Sequence, residues 1–292
     1  MISKIFNRPT LIVVAGPTAV GKTQFCIALA KQYACPIISA DSRQFYREMN
    51  IGTATPSKEE MSGVPHYFVG HLSINDYYSV SRFEQDVLQL LPTLFQQTNT
   101  VIMTGGSGLY LDAVCYGIDE LPDPDPAIRE EIIALYENEG LTALQTKLQL
   151  LDPEYYESVD IANHKRLIRA IEVCLQTGKP YSSFRSMSQK VRDFDIVKYC
   201  LSRPRDILFS RINQRVDLMI EQGFLEEATQ LYPHRHLNAL NTVGYKELFQ
   251  YLDGVLSLEE AVNDIKTHTR RYAKRQLSWF KRDASYQYVD LP

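Results

Sequence analysis

The sequence lacks the features that would place it in a membrane or in an oxidising compartment. No apolar run approaches the roughly 20 residues that a membrane-spanning helix needs. The first apolar segment, 11–15, is followed at once by glycine and proline, so we expect a buried strand there. The five cysteines form no CxxC pair and lie near no histidine cluster, which argues against a zinc site. We therefore expect buried, reduced thiols in a cytoplasmic protein with no membrane association.

The sequence also lacks a large excess of either charge. It has 31 Lys and Arg against 35 Asp and Glu, a net charge of −4. A uniformly basic nucleic-acid-binding protein is thereby excluded, and any contact with RNA must come from local basic patches. Hydrophobic residues make up 45% of the chain, enough for an ordinary globular core. We see no internal repeat and no low-complexity tract.

The first third of the chain has an α/β pattern. Short apolar runs at 11–15, 36–40 and 100–104 read as strands, and a helix is expected over 23–33. Runs that are apolar throughout are typical of parallel strands buried on both faces. The three strands are followed by Gly16, Asp41 and Gly105. Because ligands of such sheets bind at the carboxyl ends of the strands, we expect these three residues to share one site.

The character of the sequence changes at 121–126, where three prolines alternate with acidic residues. Such a stretch is a stiff boundary. We predict a catalytic α/β core formed by 1–119 and 195–292, interrupted by a helical insert at 120–194. Within the second part of the core we expect a strand at 196–200, a long helix over 205–231, a further helix within 256–280 and an edge strand at 286–290.

The segment Gly16–Thr23 reads GPTAVGKT and matches the phosphate-binding P-loop pattern GxxxxGK[ST] in full. In such loops the backbone N–H groups converge on phosphate oxygens, the lysine adds a positive charge and the Thr hydroxyl is placed to hold Mg²⁺. The strand at 101–105 ends in Thr and Gly, so the apolar strand with a terminal Asp that hydrolases use for magnesium is not evident. This difference favours a loop that grips a leaving diphosphate over one that hydrolyses a nucleotide.

Asp41 ends the second predicted strand, opposite the phosphate grip. A carboxylate at that edge suits a general base. The same position also suits a helix N-cap, since Asp41 and Ser42 both favour that role. Position alone leaves these two interpretations open.

Taken together, the motifs closely resemble the tRNA dimethylallyltransferases, also called tRNA isopentenyltransferases. Besides the P-loop, the resemblance rests on blocks spread over nearly the whole chain: DSRQFY at 41–46, IGTA at 51–54, GVPH at 63–66, GGSGLY at 105–110, RLIRAIEV at 166–173, TGKP at 177–180, RINQRV at 211–216, VGYKE at 243–247 and TRRYAKRQLSWF at 269–280. The resemblance implies a P-loop nucleoside-triphosphate-hydrolase-like parallel sheet with a helical, tRNA-binding insert. The sheet resembles that of nucleotide kinases, although this family phosphorylates nothing.

The resemblance implies transfer of a dimethylallyl group from dimethylallyl diphosphate to N6 of an adenine in tRNA, immediately 3′ of the anticodon, with Mg²⁺ as cofactor and the protein a monomer. Asp41 is then the base and Ser107 lies beside the reacting centre, with Lys22 and Thr23 also catalytic. The implied diphosphate-binding residues are Gly16, Thr18, Ala19, Val20, Gly21, Lys22, Thr23, Arg211 and Arg215, and Thr23 is the implied metal ligand. The implied tRNA-binding residues are Asp41, Ser42, Arg43, Gln44, Ser107, Arg129, Lys165, Arg166, Leu167, Ile168, Arg169, Lys274 and Arg275.

Two alternatives accompany this interpretation. A relative that prenylates free adenosine nucleotides would share the P-loop and Asp41 but would need neither the insert nor the basic segment at 266–282. That segment is rich in Lys and Arg with interleaved aromatics, which suits RNA but equally suits a solvated helix whose aromatics pack in the core. Thr55 stands where the family commonly has lysine, so its role is left open.

Overall fold

The computed structural model describes residues 6–185 and 189–292. The chain forms two compact units, one comprising Met1–Tyr116 with Val191–Pro292 and the other Gly117–Lys190. Each of these boundaries lies within a few residues of the predicted division at 119/120 and 194/195. Among the described residues, no helix is both long and apolar enough to cross a bilayer. All five cysteines are buried and free of disulfides.

The first unit is built on a six-stranded, fully parallel sheet with the order β3-β2-β4-β1-β5-β6. The fold class predicted from the sequence is thereby confirmed. The strands are β1 (Thr10–Ala15), β2 (Ile37–Ser39), β3 (His66–Tyr67), β4 (Thr100–Gly105), β5 (Asp195–Ser202) and β6 (Gln287–Asp290). Its helices are α1 (Lys22–Tyr33), α2 (Lys58–Met61), α3 (Val80–Phe95), α4 (Gly108–Tyr116), α9 (Arg205–Glu221), α10 (Phe224–Leu231), α11 (Tyr245–Leu252) and α12 (Leu258–Phe280).

Strand β1 is buried along its whole length because helices cover both faces of the sheet. Its side chains alternate between two hydrophobic clusters. Leu11 and Val13 pack in the cluster that contains residues of α3 and α4. Ile12 and Val14 pack in the cluster that contains residues of α1 and α9. Each such fully buried side chain contributes about 1.5–3 kcal/mol, which fixes the strand that carries the P-loop.

The long helix predicted over 205–231 is two helices, so that prediction is wrong in detail. Helix α9 ends at Glu221 and α10 begins at Phe224. The break lies at Gly223, whose φ of +98° is outside the helical region and is disfavoured for any other residue. The break lets Phe224 turn into a third hydrophobic cluster, together with Tyr245 of α11.

The second unit is wholly helical in its described part. It consists of α5 (Pro126–Glu139), α6 (Leu141–Leu151), α7 (Pro153–Ser158), α8 (His164–Thr177) and a 3₁₀ turn at Tyr181–Phe184. Its core contains Ile132, Leu144, Leu148 and Ile171. The side chains of Asp125, Asp152 and Asn163 cap the helices α5, α7 and α8, so the short polar residues between the helices set where each one begins.

Candidate active site

The P-loop connects the carboxyl end of β1 to the first turn of α1. Gly21 stands at the N-cap of α1 with a φ of +111° and offers no capping side chain. The first N–H groups of a helix have no partner within the helix, and the helix dipole adds positive potential at that end. The N–H groups at this end of α1 therefore suit an anion, as the motif predicts.

Lys22 lies folded back over the loop that it belongs to. Its ammonium Nζ donates to the carbonyl oxygens of Gly16 and Pro17, each at 2.9 Å. Burial lowers the pKa of Lys22 to about 8, an effect that the Asp41 carboxylate opposes and the Arg215 guanidinium reinforces. A bound diphosphate would supply the negative charge that this buried ammonium lacks.

This lowered pKa predicts a pH dependence for anion binding. Below about pH 8 Lys22 is charged and ready to bind; above it, binding must be accompanied by uptake of a proton. We expect the affinity for inorganic diphosphate to fall by up to about tenfold per pH unit between pH 8 and 10. Titration calorimetry would measure this. In Lys22→Arg the cation stays charged throughout, so only the titration of diphosphate itself should remain. Equal pH profiles for the two proteins would contradict the prediction.

Three arginines bind successive residues of the P-loop. Arg215 Nη1 donates to the Thr18 hydroxyl at 3.2 Å and Arg211 Nε to the Ala19 carbonyl at 2.9 Å. Both were predicted, and both lie at the loop. Arg203 Nε donates to the Val20 carbonyl at 2.8 Å and was not predicted. It follows the carboxyl end of β5, so the strand-end argument that selected Asp41 could have found it.

Asp41 lies two residues after Ser39, the last residue that pairs β2 with β4, and β4 in turn pairs with the P-loop strand β1. Its Oδ1 accepts a hydrogen bond from the Arg43 N–H at 3.1 Å, which closes a turn. Residues 42–45 continue as turns, so the helix N-cap interpretation is wrong. The carboxylate faces a cavity and is held by its own backbone, as a base in a fixed position needs to be.

Ser107 contacts Ser42, the residue that follows Asp41. Its Oγ accepts from the Ser42 N–H at 3.2 Å and donates to the Ser42 hydroxyl, also at 3.2 Å. Tyr272 of α12 lies close to both Ser107 and Asp41. Burial together with the nearby Asp41 charge raises the pKa of Tyr272 to about 12. Tyr272 lines the cavity, whereas Ser107 does not. Ser107 can therefore affect a ligand in the cavity through the residues that it contacts, such as Ser42.

These residues surround a cavity of about 700 Å³ within the first unit. The P-loop forms one wall, and Asp41 with α9 and α12 forms others. The residues predicted from the sequence that line it are Thr18, Ala19, Gly21, Lys22, Thr23, Asp41, Arg43, Gln44, Arg211 and Arg215. Gly16 and Val20 do not line it, and the Val20 side chain is buried in the core, so any contact of Val20 with a ligand must come from its backbone.

Comparison with known proteins shows to which family this chain belongs. A family model described as IPP transferase matches residues 44–283, well over half of the chain. The chain belongs to the IPP transferase family. It is 53% identical over 274 residues to tRNA dimethylallyltransferase 1 of Phocaeicola vulgatus, covering 94% of this chain and 91% of that protein. It is 49% identical to a tRNA dimethylallyltransferase of Christiangramia forsetii, covering 96% and 93%.

Solved structures agree with this assignment. The tRNA isopentenylpyrophosphate transferase of Bacillus halodurans is 37% identical with a TM-score of 0.70, over 97% of this chain and 90% of that one. A eukaryotic dimethylallyltransferase whose structure is described as acting on tRNA is 26% identical with a TM-score of 0.79, over 96% and 73%. The resemblance deduced from the motifs is thereby confirmed.

Two of the residues for which family membership implies tRNA contact are engaged inside the protein. Arg43 Nη1 donates to the carbonyls of Asn238 and Ala239, each at 2.9 Å. Gln44 Nε2 donates to the carbonyls of Thr53 and Ala54, each at 3.2 Å. In this structure their side chains build the cavity wall, so an RNA contact through these groups would require exchange of hydrogen bonds.

The wall segment at 50–54 is itself held by a residue that sequence reasoning missed. The Glu227 carboxylate accepts from the N–H groups of Asn50, Ile51 and Gly52 at 2.8–2.9 Å, and from the Tyr245 hydroxyl at 2.6 Å. The adjoining Thr55 hydroxyl lies 2.8 Å from the hydroxyl of Thr53. Thr55 thus bonds within the wall that the family motif IGTA forms.

The insert's predicted tRNA-binding residues fall into two groups. Lys165 and Arg166 are exposed on α8 and can contact RNA. Arg129 and Arg169 instead bind the fully buried carboxylate of Glu172, at 3.3 and 2.8 Å. The side chains of Leu167 and Ile168 belong to the core of the insert, so any contact of these two residues with tRNA must come from their backbone. Four of the six predicted residues thus contribute to the packing or ion pairing of the insert, and Lys165 and Arg166 are exposed to solvent.

The basic stretch of α12 combines both interpretations that its composition allowed. Lys274 and Arg275 are exposed, as RNA contacts require. Phe280 is fully buried, and Trp279 donates from Nε1 to the Asp112 carboxylate at 2.8 Å. Lys266 pairs with Asp217 at 2.5 Å. One part of the stretch is thus structural and another faces solvent.

Proposed function

We propose that the chain transfers a dimethylallyl group from dimethylallyl diphosphate to N6 of the adenine at position 37, next to the anticodon, in tRNAs that read codons beginning with U. The products are N6-(dimethylallyl)adenosine and diphosphate. One observation carries the proposal: a diphosphate grip and the Asp41 carboxylate line the same cavity. In addition, Thr104, the penultimate residue of β4, donates from its hydroxyl to the Val14 carbonyl at 2.9 Å, near the strand end where a hydrolase would carry its acid.

The residues divide the chemistry between the two bonds that change. The adenine nitrogen N6 attacks C1 of the dimethylallyl group while the C1–O bond to diphosphate breaks. Lys22, Arg211 and Arg215 offset the negative charge that builds up on the leaving oxygens. Asp41 accepts the proton that N6 loses. For N6 to reach Asp41 the base must leave the stack of the anticodon loop, as bases do in other enzymes that modify them.

Mg²⁺ is part of the proposal. Within the described residues, no group of three His, Cys, Asp or Glu side chains could hold a metal ion. Thr23 is exposed in the first turn of α1 and lines the cavity, so its hydroxyl is an oxygen donor beside the diphosphate site. Mg²⁺ commonly binds through few protein oxygens together with phosphates and water. Thr23 would hold it, and the ion would add positive charge at the leaving group.

In this proposal both substrates react in the same cavity. The exposed side chains of Lys165, Arg166, Lys274 and Arg275 contact the tRNA backbone. We further propose that the enzyme acts as a monomer in the cytoplasm, where its substrate tRNA is found.

A direct assay tests the proposal against prenylation of free nucleotides. Purified protein, Mg²⁺ and radiolabelled dimethylallyl diphosphate are offered an unmodified tRNA with an A-rich anticodon loop, the same tRNA carrying G at position 37, or AMP. We expect label in the first tRNA alone, recovered as N6-(dimethylallyl)adenosine after nuclease digestion. Equal labelling of AMP would favour the free-nucleotide activity, and labelling of neither acceptor would overturn the proposed function.

A further inference from the structure

Gln276 of α12 connects two loops. One is the P-loop, which is proposed to hold the diphosphate, and the other contains Gly106, next to Ser107. Its side-chain Oε1 accepts from the backbone N–H of Thr18 in the P-loop at 2.9 Å. Its Nε2 donates to the carbonyl of Gly106, next to Ser107, also at 2.9 Å. The residue is only 6% exposed, although it is polar. The amide thus accepts a hydrogen bond from the loop that follows β1 and donates one to the loop that follows β4.

Only a side chain with a donor and an acceptor at a fixed separation can make this bridge. Glutamate would keep the acceptor for Thr18 but would turn a second acceptor toward the Gly106 carbonyl. Methionine would fill the space with neither bond. Because a buried polar group left without its partner is destabilising, either change would weaken the connection between the two loops.

Gly106 shows how closely the amide fits. A Cβ built on Gly106 would lie 2.1 Å from Gln276 Nε2, closer than atoms can approach. The φ of Gly106 is not in the left-handed region, so its backbone would accept alanine. It is therefore the amide of Gln276 that requires glycine at this position.

Helix α12 has a second anchor on the same turn, independent of Gln276. Trp279 packs against Gly108, where a Cβ would meet its ring at 2.2 Å, and its Nε1 binds Asp112. Substitution of Gln276 should therefore leave α12 docked while freeing the two loops from each other.

We propose that Gln276 is a positioning residue: it sets the separation between the P-loop that grips the diphosphate and the Gly106–Ser107 turn that supports Ser42 and Asp41. This inference rests on the proposed function, since it concerns the alignment of the two substrates. Displacement of reacting groups by about 1 Å can cost about 100-fold in rate. The effect should thus fall on the chemical step of the assembled complex and spare the binding of each substrate.

The first test measures single-turnover rates with enzyme in excess, which do not depend on the fraction of active protein. We expect Gln276→Met and Gln276→Glu to lower this rate about 10- to 100-fold, with the Kd for tRNA changed less than threefold. Phe280→Leu, one turn further along the same helix and buried in the core, is the control for lost packing. It should lower Tm but leave the single-turnover rate within twofold. Rates of the Gln276 variants equal to wild type would overturn the inference.

The second test is a double-mutant cycle between Gly106 and Gln276. Gly106→Ala should lower the rate at least tenfold in the wild-type background, because its methyl group displaces the amide. In the Gln276→Ala background, where the space is empty, the same change should cost less than about twofold. Equal costs in both backgrounds would show that the two residues act independently and would refute the bridge.

A third measurement does not depend on catalysis. Hydrogen exchange of the Thr18 amide, without substrates, should be at least tenfold faster in Gln276→Met than in wild type, with exchange of β1 unchanged. If wild type transfers no dimethylallyl group but this exchange result holds, the proposed function fails and the bridge stands. Unchanged exchange at Thr18 refutes the bridge whatever the activity.

Discussion

Replacing Asp41 by asparagine is expected to lower kcat by about 10²- to 10⁴-fold, the range typical of a lost general base. Asparagine retains an Oδ1 that can accept from the Arg43 N–H, now at 3.1 Å, so the turn should survive. What is lost is the ability to take the proton from N6. The Kd for tRNA, measured by filter binding, should change less than threefold because the shape of the site is preserved.

Two details sharpen this test. The Asp41 charge raises the pKa of Lys22, so its removal lowers that pKa further below about 8. The comparison should therefore be made at several pH values from 8 downward, so that a rate lost through deprotonation of Lys22 is recovered at the lower pH and a rate lost with the base is not. Asp160→Asn is a matched control, since Asp160 Oδ1 also accepts from the N–H two residues on at 3.1 Å but lies outside the cavity. Full activity of Asp41→Asn at low pH would remove Asp41 as the base.

The sheet could be predicted because its signals are local. Apolar runs that stop at glycine or aspartate located β1, β2 and β4. A strand over 286–290 was correctly expected at the edge, where β6 is the last strand of the sheet and pairs with β5. The two-residue strand β3 was missed because its burial is only partial and its pairing with Ile37 and Ile38 is set by the tertiary structure. Gly223 was a signal available in the sequence, yet a single glycine does not by itself say whether a helix breaks.

The residues of the site likewise fall into two sets: those that a local sequence signal revealed and those that it did not. A motif found the P-loop, and position at a strand end found Asp41. The residues that fix these groups are far away in sequence: Gln276 lies 258 residues from Thr18, and Glu227 lies 177 residues from Asn50. Contacts over such separations depend on how the helices pack, and no pattern of neighbouring residues encodes them. Sequence reasoning therefore proposed the groups that react, and missed Gln276, Glu227 and Arg203, which hold the segments around them.

The insert differs, because some of its predicted tRNA-binding residues also serve the fold. The family resemblance implied that Arg129 and Arg169 contact tRNA, which remains a prediction. The sequence does not reveal that Glu172, three residues after Arg169, is wholly buried and needs positive partners. A buried carboxylate without such a partner would be costly. Arg129 therefore retains nearly half of its side chain exposed while one of its guanidinium nitrogens serves the core.

The contacts of Lys22 distinguish two roles: it orders the P-loop, and it is proposed to bind the diphosphate. In this structure its ammonium binds two carbonyls of its own loop, so it already orders the P-loop before any ligand arrives. On binding diphosphate it would exchange these neutral acceptors for anionic ones, which adds the attraction between opposite charges. The gain should be greatest when the C1–O bond breaks, because the charge on the leaving oxygens is then largest.

Substitution of Lys22 by methionine is accordingly expected to lower kcat by about 10²- to 10³-fold, as for loss of one preorganised group that stabilises transition-state charge. The Kd for dimethylallyl diphosphate should rise less than kcat falls, because an interaction that strengthens in the transition state acts mainly on kcat. Lys31→Met, at the exposed far end of the same helix, should stay within twofold of wild type. Pre-steady-state rates and calorimetry on all three proteins provide the comparison. A rise in Kd with unchanged kcat would make Lys22 a binding residue alone and would assign stabilisation of the leaving group to Arg211 and Arg215.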